Sequence, residues 1–203
     1  SLYSDVVTSG EHVHHCLKTR PDAFYQGLGK RFFIFPWDGD RQIIDGLGFI
    51  EVNRMEDADF VLCAGVERGG LAAYLDDLDR ALSCNLPMIV ANPDLVSKKP
   101  DGTLQLCPGS IANHYETMGG QVRWHGKPDP AIYQFCASGI QPDKTLAIGD
   151  SLTHDIRGGQ NAGYRTLFIE DGIHHLELAE HGLAQLCQRH SVQPDYCSSI
   201  LKW

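Results

Sequence analysis

Short runs of apolar residues alternate along this chain with longer segments in which apolar side chains recur every three or four positions. The short runs are rich in Val, Ile, Leu and Phe and are bounded by Gly, Pro, Asp or Asn, which is typical of strands buried on both faces of a parallel sheet. The longer segments have the spacing of amphipathic helices. The predicted strands are 31–36, 60–65, 87–91, 145–149 and 165–169, and the predicted helices are 71–83, 130–138 and 176–187.

The alternation of strand and helix predicts an α/β fold with right-handed crossovers between parallel strands. Residues 26–120 can form a small α/β unit of their own, and residues 121–203 follow as strand, helix, strand, helix, strand, helix. At the N-terminal end we expect a strand over residues 5–8 and then a helix that begins near Ser9. Ser9 is the expected cap of that helix, although Glu11 then lies one residue too early for a standard capping box.

Composition and charge narrow the class of protein. The chain has 203 residues, of which 42% are hydrophobic and 21% are charged, as in ordinary soluble globular proteins. The net charge is -9 and no basic stripe is visible, so neither nucleic acid nor an anionic membrane is an expected partner. No apolar run approaches the ~20 residues that a membrane-spanning helix needs. The cysteines are odd in number and lack the close pairing of a zinc knuckle, so reduced thiols in a cytoplasmic protein are expected.

Two aspartates stand where the predicted strand 145–149 gives way to a helix. Asp150 follows the strand directly, and ligands of open α/β sheets bind at the carboxyl ends of such strands. Asp155 lies in the first turn of the helix and can bend back toward the same place. Two converging carboxylates form an oxygen-rich site that suits magnesium. The alternative is that Asp150 only caps the turn and Asp155 only favours the helix N-terminus.

A lysine precedes a second helix start in the sequence Gly-Lys-Pro-Asp-Pro, residues 126–130. A short predicted strand, 121–125, leads into it, and proline is tolerated in the first turn of the helix that follows. Lys127 therefore lies beside a helix N-terminus, which favours anions, and its ammonium can neutralise a phosphate or a neighbouring carboxylate. A plain surface lysine ahead of a helix is the alternative.

Taken together, this lysine motif and the later sequence apolar-Gly-Asp-Ser-x-x-x-Asp resemble the third and fourth motifs of the haloacid dehalogenase superfamily. The resemblance implies a Rossmann-like parallel sheet core and a magnesium-dependent phosphomonoester hydrolase that acts through an aspartyl-phosphate. It also implies that Lys127 orients the nucleophile and binds the phosphoryl group, that Asp150 is a Mg²⁺ ligand, and that Asp155 supports the metal site. The implied substrate is a small phosphorylated metabolite, whose identity the sequence does not give.

Four more short sequences resemble the NagD-like subclass, class IIA, whose members insert a large α/β cap domain between their second and third motifs. They are Val-Thr-Ser-Gly-Glu at 7–11, Asn-Pro-Asp at 92–94, Pro-Gly-Ser at 108–110 and Pro-Asp-Tyr at 194–196. The organisation that this resemblance implies is a core formed by residues 1–25 and 121–203, with a cap formed by residues 26–120.

The cap of this subclass also implies candidates for substrate contact. Its loop after Asn-Pro-Asp faces the active site, so Asn92, Asp94 and Ser97 are the implied substrate-binding residues. A plain turn is the alternative for Asn92 and Asp94. Caps of this class often dimerise, and a homodimer through the cap is therefore open.

The first two motifs of the superfamily are absent from their expected places. The first is Asp-x-Asp after a hydrophobic strand near the N-terminus, and its first aspartate is the nucleophile. The sequence Asp38-Gly39-Asp40 follows a predicted strand of the cap instead and is interpreted as a turn. The second motif, a strand that ends in Ser or Thr, has only Thr8-Ser9 as a weak candidate. The chain is therefore expected to begin after part of the usual core and to be inactive by itself.

Other classes of protein remain open. One is a non-catalytic binding or regulatory protein that keeps the cap and the remnant of the metal site. Another is a receiver-like domain with an acidic metal pocket, against which the long insertion ahead of Lys127 argues. A further open point is the group His12, His14 and His15 on the first predicted helix. Metal ligands would lie one turn apart and need partners from elsewhere, so a solvated helix face is the preferred interpretation.

Overall fold

The computed structural model describes residues 5–98 and 103–202 of the chain. It divides into two compact units, Ser1–Gly126 and Lys127–Trp203. The α/β class predicted from the sequence is confirmed, because parallel strands alternate with helices in both units. Among the described residues, no helix is both long enough and apolar enough to span a bilayer.

The described residues of the first unit form seven strands. They are β1 (Arg31–Phe35), β2 (Ile50–Glu51), β3 (Phe60–Cys63), β4 (Met88–Val90), β5 (Val96–Lys98), β6 (Leu104–Leu106) and β7 (Val122–Trp124). Five of them form a parallel sheet in the order β2-β1-β3-β4-β7, and β5 and β6 form a separate antiparallel pair. Every residue of β3 and β4 is buried, as the apolar runs in the sequence predicted.

Helices cover both faces of this parallel sheet. They are α1 (Ser9–Thr19), α2 (Ala23–Gly27), α3 (Leu75–Ser83) and α4 (Pro108–Thr117). Successive residues of β3 point to opposite faces: Phe60 packs in a core cluster with residues of α1 and α2, whereas Val61 packs in one with residues of α3 and α4. The predicted helix 71–83 is a 3₁₀ turn, Leu71–Tyr74, followed by α3.

The N-terminal end differs from the prediction. Residues 5–8 form no strand, and the cap of α1 is Thr8 rather than Ser9. Thr8 has extended backbone angles, its hydroxyl accepts a hydrogen bond from the backbone N–H of Glu11 (3.1 Å), and the Glu11 carboxylate accepts one from the N–H of Thr8 (2.6 Å). This is a complete capping box, and it places the threonine at the start of a helix rather than at the end of a strand.

The second unit is a three-stranded parallel sheet with three helices. The elements are α5 (Pro130–Cys136), β8 (Leu146–Gly149), α6 (Arg157–Asn161), β9 (Arg165–Ile169), α7 (His175–His190) and β10 (Tyr196–Ser198), and the strand order is β10-β9-β8. The prediction that β8 is buried on both faces is wrong here: Leu146 is 44% exposed and Ile148 is 40% exposed. The physical reason is that both side chains lie on the same face of the sheet as Arg165, the exposed partner of Leu146 in β9. The opposite face, which carries the buried Thr166 and Phe168, is the one that the helices cover.

The observed division of the chain falls after Gly126, whereas the sequence suggested one after residue 120. Strand β7 pairs with β4 through Val122 opposite Met88, so it is part of the first sheet. Helix α1 also belongs to the first unit, because Val13 and Leu17 pack in the core cluster that contains residues of β1 and β3. The assignment of core and cap roles to the two units stays a prediction.

Candidate active site

The turn after β8 is shaped by a helix cap. Asp150 follows the strand directly, and Ser151 then caps the next helical segment by accepting a hydrogen bond from the backbone N–H of His154 (3.1 Å). That segment, Leu152–Ile156, is a single π-helical turn that continues into α6. π-Helical turns often occur at functional sites, and this one presents Asp155 toward the end of the strand.

Asp155 is nearly buried and has a partner on each carboxylate oxygen. Its Oδ1 accepts a hydrogen bond from Nζ of Lys127 (2.6 Å), and its Oδ2 accepts one from the backbone N–H of Ser151 (3.0 Å). Gly149 makes this position possible, because a Cβ atom at residue 149 would lie only 2.2 Å from Cγ of Asp155. The side chain of Lys127 is 55% exposed, so its ammonium remains accessible while it contacts the buried carboxylate.

Asp150 is held by the loop that follows β9. Its Oδ2 accepts a hydrogen bond from the backbone N–H of Ile173 (2.9 Å). A Cβ at Gly172 would lie 2.2 Å from Cβ of Asp150, so the glycine permits the loop to approach this closely. Among the residues that the structure describes, Oδ1 of Asp150 has no hydrogen-bond donor. One carboxylate oxygen is therefore fixed and the other remains available.

The three residues named by the sequence motifs thus lie at one end of the second sheet. Lys127 contacts Asp155 directly, and Asp155 contacts Ser151, the residue after Asp150, and lies against Gly149, the residue before it. The charges alternate along this group, with an ammonium against one carboxylate and a second carboxylate on the adjacent turn. Such a group can bind a cation and an anion side by side.

Tyr133 on α5 supports the π-helical turn. Its hydroxyl donates to the carbonyl oxygens of His154 (2.9 Å) and Asp155 (3.2 Å). Burial, and then the negative charge of Asp155, raise the pKa of Tyr133 above its ordinary value, so the hydroxyl stays protonated and remains a donor. The sequence motifs did not indicate this residue, because it lies within a helix whose apolar spacing explains its position without any polar role.

His174 is a second residue to which the sequence gave no role. It is buried, its Nε2 accepts a hydrogen bond from the backbone N–H of Leu152 (3.3 Å), and its Nδ1 lies 2.7 Å from a carboxylate oxygen of Glu177. Acceptance at Nε2 places the proton on Nδ1, which donates to Glu177. That hydrogen bond lowers the pKa of the Glu177 carboxyl. His174 therefore connects the start of α7 to the turn that carries Asp155.

The predicted substrate-contact residues belong to the first unit. Oδ1 of Asn92 accepts a hydrogen bond from the backbone N–H of Asp94 (2.9 Å), so the Asn-Pro-Asp sequence forms an Asx turn, the alternative interpretation of that motif. Ser97 is exposed on strand β5, opposite Gln105 of β6. Asp38 and Asp40 lie in a turn after β1, as predicted, with Asp38 at a positive φ of 49°.

Comparison with known proteins finds similarity to the same superfamily. Residues 124–199 match the family model described as HAD-hydrolase-like. The structure resembles that of a haloacid dehalogenase-like hydrolase from Brucella suis, with a TM-score of 0.78 and 27% sequence identity, over 98% of this chain and 73% of that one. It also has the fold of a glycerol phosphate phosphatase from Mycobacterium tuberculosis in complex with magnesium, with a TM-score of 0.71 and 24% identity over 96% of this chain and 56% of that one.

Among curated sequences, a phosphoserine phosphatase from Thermus thermophilus is 32% identical to this chain over 85 residues. The match covers 40% of this chain and 31% of that protein. The chain thus spans about a third of the length of this curated relative.

Proposed function

We propose that this chain, whose residues 124–199 match the family model described as HAD-hydrolase-like, carries the cation- and phosphate-binding part of a magnesium-dependent phosphomonoester hydrolase of the NagD-like class IIA. The observation that carries the proposal is the contact of Lys127 with Asp155 at the end of β8, one turn from Asp150. Two relatives named as phosphatases, acting on phosphoserine and glycerol phosphate, support the reaction class. The substrate is accordingly a small phosphorylated metabolite.

The residues present fit a magnesium ion. The donors offered are carboxylate oxygens, which Mg²⁺ prefers, and few protein ligands are needed because the ion retains several waters. Oδ1 of Asp150 is the available ligand atom, and Asp155 lies beside it as the supporting carboxylate. A bound Mg²⁺ would supply positive charge that stabilises the transferring phosphoryl group.

Lys127 and Asp155 act as a pair in this proposal. The buried carboxylate of Asp155 pairs with the ammonium of Lys127 and directs it toward the strand end. The remaining N–H bonds of Lys127 can then donate to a phosphate oxygen. The loop amide of Ile173 holds the Asp150 carboxylate in one orientation, so the two groups keep a fixed arrangement as charge develops.

Binding of an anion tests this part of the proposal without requiring turnover. We expect inorganic orthovanadate to bind the chain in the presence of Mg²⁺, as measured by isothermal titration calorimetry. Lys127→Met should weaken that binding about tenfold or more, because a hydrogen bond to a charged group contributes about 1.5–3 kcal/mol. Lys144→Met is the matched control, since Lys144 is exposed at the other end of β8. Equal affinities for the two variants would contradict the proposal.

An activity assay tests whether this chain contains a complete catalytic site. The sequence Asp-x-Asp does not occur in residues 127–203, and Asp38 and Asp40 lie in a turn of the first unit. We therefore propose that this chain alone does not hydrolyse p-nitrophenyl phosphate in the presence of Mg²⁺. Steady release of p-nitrophenol that is abolished by Asp150→Asn would refute this statement. Orthovanadate binding without turnover would agree with it. If the chain showed no orthovanadate binding and no turnover, that result would favour a non-catalytic regulatory protein.

The remaining proposals concern partners and location. We propose that Asn92, Asp94 and Ser97 contribute to substrate choice, that the first unit can mediate homodimerisation, and that the protein is cytoplasmic. The seven cysteines all lie among the described residues, none of them forms a disulfide there, and four of them are buried, which supports a reducing compartment. Sedimentation velocity would test the dimer, and Ser97→Ala would test the substrate contact through the affinity of the chain for a phosphorylated metabolite, measured by calorimetry.

A further inference from the structure

A second group of ligand-type side chains lies in the first unit, away from the motifs described above. His12 and Cys16 are one turn apart on α1, and His125 follows strand β7. All three are buried, and each offers one ligand atom within 4.8 Å of the others. The expectation that His12 belongs to a solvated helix face is therefore wrong: His12 is only 6% exposed, because that side of the helix packs on the sheet.

The spacing of the two imidazoles matches that of ligands to one ion. Nδ1 of His12 and Nδ1 of His125 are 3.2 Å apart. Two nitrogens that bind one tetrahedral zinc at about 2.0–2.1 Å lie about 3.3–3.4 Å apart, and a thiolate sulfur completes such sites at about 2.3 Å from the metal. Small side-chain rotations can therefore bring the sulfur of Cys16 and both nitrogens to the distances that zinc requires.

Tyr25 supplies the outer hydrogen bonds that such a site needs. Its hydroxyl contacts Nε2 of His125 and also hydrogen bonds with Cys16. Ligating histidines usually donate their second N–H to a nearby acceptor, which fixes the ring and leaves the other nitrogen free for the metal. A tyrosine hydroxyl can donate toward a sulfur atom while it accepts from an imidazole N–H, so Tyr25 can serve Cys16 and His125 together.

The donor atoms of the cluster also suit a particular kind of cation. Two imidazole nitrogens and one sulfur lie within 4.8 Å of one another. A mixed nitrogen and sulfur donor set favours zinc over magnesium or calcium, which prefer oxygen.

We propose that His12, Cys16 and His125 form a structural zinc site with Tyr25 in its outer shell. The ion would connect helix α1 to the end of strand β7 across 113 positions of the chain. Closure of so long a loop restricts the unfolded chain strongly, so the ion would stabilise the first unit. A solvent molecule would complete the tetrahedron.

Cobalt substitution gives the most specific test, because Co²⁺ reports its ligands in its absorption spectrum. The full chain, stripped with chelator under reducing conditions, is titrated with Co²⁺. We expect about one Co²⁺ per chain, with intense tetrahedral visible bands and a near-ultraviolet sulfur-to-cobalt charge-transfer band. The charge-transfer band should vanish in Cys16→Ser and persist in Cys84→Ser, since Cys84 is an exposed thiol. His15→Gln on the exposed face of α1 is the matched histidine control.

A rival binding site is distinguished by the same spectra. His174, Glu177 and His190 also place their ligand atoms within 4.8 Å of one another, but they offer no sulfur. Cobalt bands without charge transfer would therefore assign the metal elsewhere and overturn the proposal. So would a charge-transfer band that survives Cys16→Ser, or no binding at all.

The variant Tyr25→Phe keeps all three ligands, so it tests the site even if the ligand variants fail to fold. It should retain the charge-transfer band while weakening zinc affinity about 10–100-fold, as loss of an outer-shell partner does. Zinc should also raise the melting temperature of the parent chain and not that of Cys16→Ser. An affinity of Tyr25→Phe equal to that of the parent would contradict the role given to Tyr25, and an unchanged melting temperature would contradict the structural role of the ion.

Discussion

An alanine at position 149 would test how closely the backbone of β8 must approach Asp155. The added Cβ would lie 2.2 Å from Cγ and 2.4 Å from Cβ of Asp155, whereas ordinary contacts begin at 3.4 Å. The aspartate would therefore have to move by more than 1 Å. Its backbone cannot follow easily, because its carbonyl oxygen accepts a hydrogen bond from Tyr133 and its N–H donates to Ser151. The side chain must instead turn away from Lys127.

The expected loss of stability follows from these contacts. Forcing extra volume into a packed position costs about 1–3 kcal/mol. Loss of the Lys127–Asp155 pair adds only about 0–1 kcal/mol, because the lysine side chain is 55% exposed and water screens the pair. The lower flexibility of an unfolded chain with alanine offsets about 0.4–1 kcal/mol. The net loss in the free energy of unfolding of the second unit is therefore about 1–3 kcal/mol.

Urea denaturation followed by circular dichroism measures this loss, and calorimetry with orthovanadate and Mg²⁺ measures the effect on the site. Gly149→Ala should reduce both stability and anion affinity. Gly27→Ala is the control, because nothing lies within 4 Å of a Cβ at that position and its φ is not positive. If Gly149→Ala bound orthovanadate as tightly as the parent, the reasoning that places Asp155 against the strand end would be refuted.

Three further changes have definite expected outcomes. Tyr133→Phe removes the donor to two carbonyl oxygens and should lower the free energy of unfolding by about 1–3 kcal/mol in urea denaturation; a variant as stable as the parent would contradict this. Thr8→Ala removes the cap of α1 and should cost about 1 kcal/mol by the same measurement, more than Thr19→Ala at the other end of the helix. The metal-free protein should lose stability as the pH falls from 6.5 toward about 3. Burial lowers the pKa of His125 in the folded state to about 3, so in this pH range the His125 imidazole takes up a proton only in the unfolded chain. The contribution is at most about 1.4 kcal/mol per pH unit, and a slope unchanged in His125→Gln would count against it.

The apolar runs predicted most of the sheet but not its edges. The buried strands β3 and β4 have continuous apolar sequences, which leave little ambiguity. Strand β2 was not predicted, because it contains only Ile50 and Glu51 and both are exposed. Its formation depends on pairing with β1. The run at residues 5–8 is apolar enough for a strand, yet a strand also needs a hydrogen-bonded neighbour, which a single segment of sequence cannot reveal.

The positions of the candidate site residues are easiest to predict where they follow directly from local structure. Asp150 and Asp155 belong to one strand–turn–helix sequence, so their positions are set within a few residues. Tyr133 and His174 act on that turn from α5 and α7, and such contacts depend on how helices pack. The burial of His12 likewise depends on a residue far along the chain, so periodicity along α1 alone could not identify its partner.

The amides of Ser151 and Ile173 have a further consequence for Asp155 and Asp150. Each donates to one oxygen of its carboxylate, so both side chains already occupy a single rotamer in the absence of any ligand. Immobilising a side chain at the moment of association costs about 0.5–1.5 kcal/mol. This side-chain entropy is lost when the protein folds and not when a cation binds, so the two carboxylates are preorganised for cation binding.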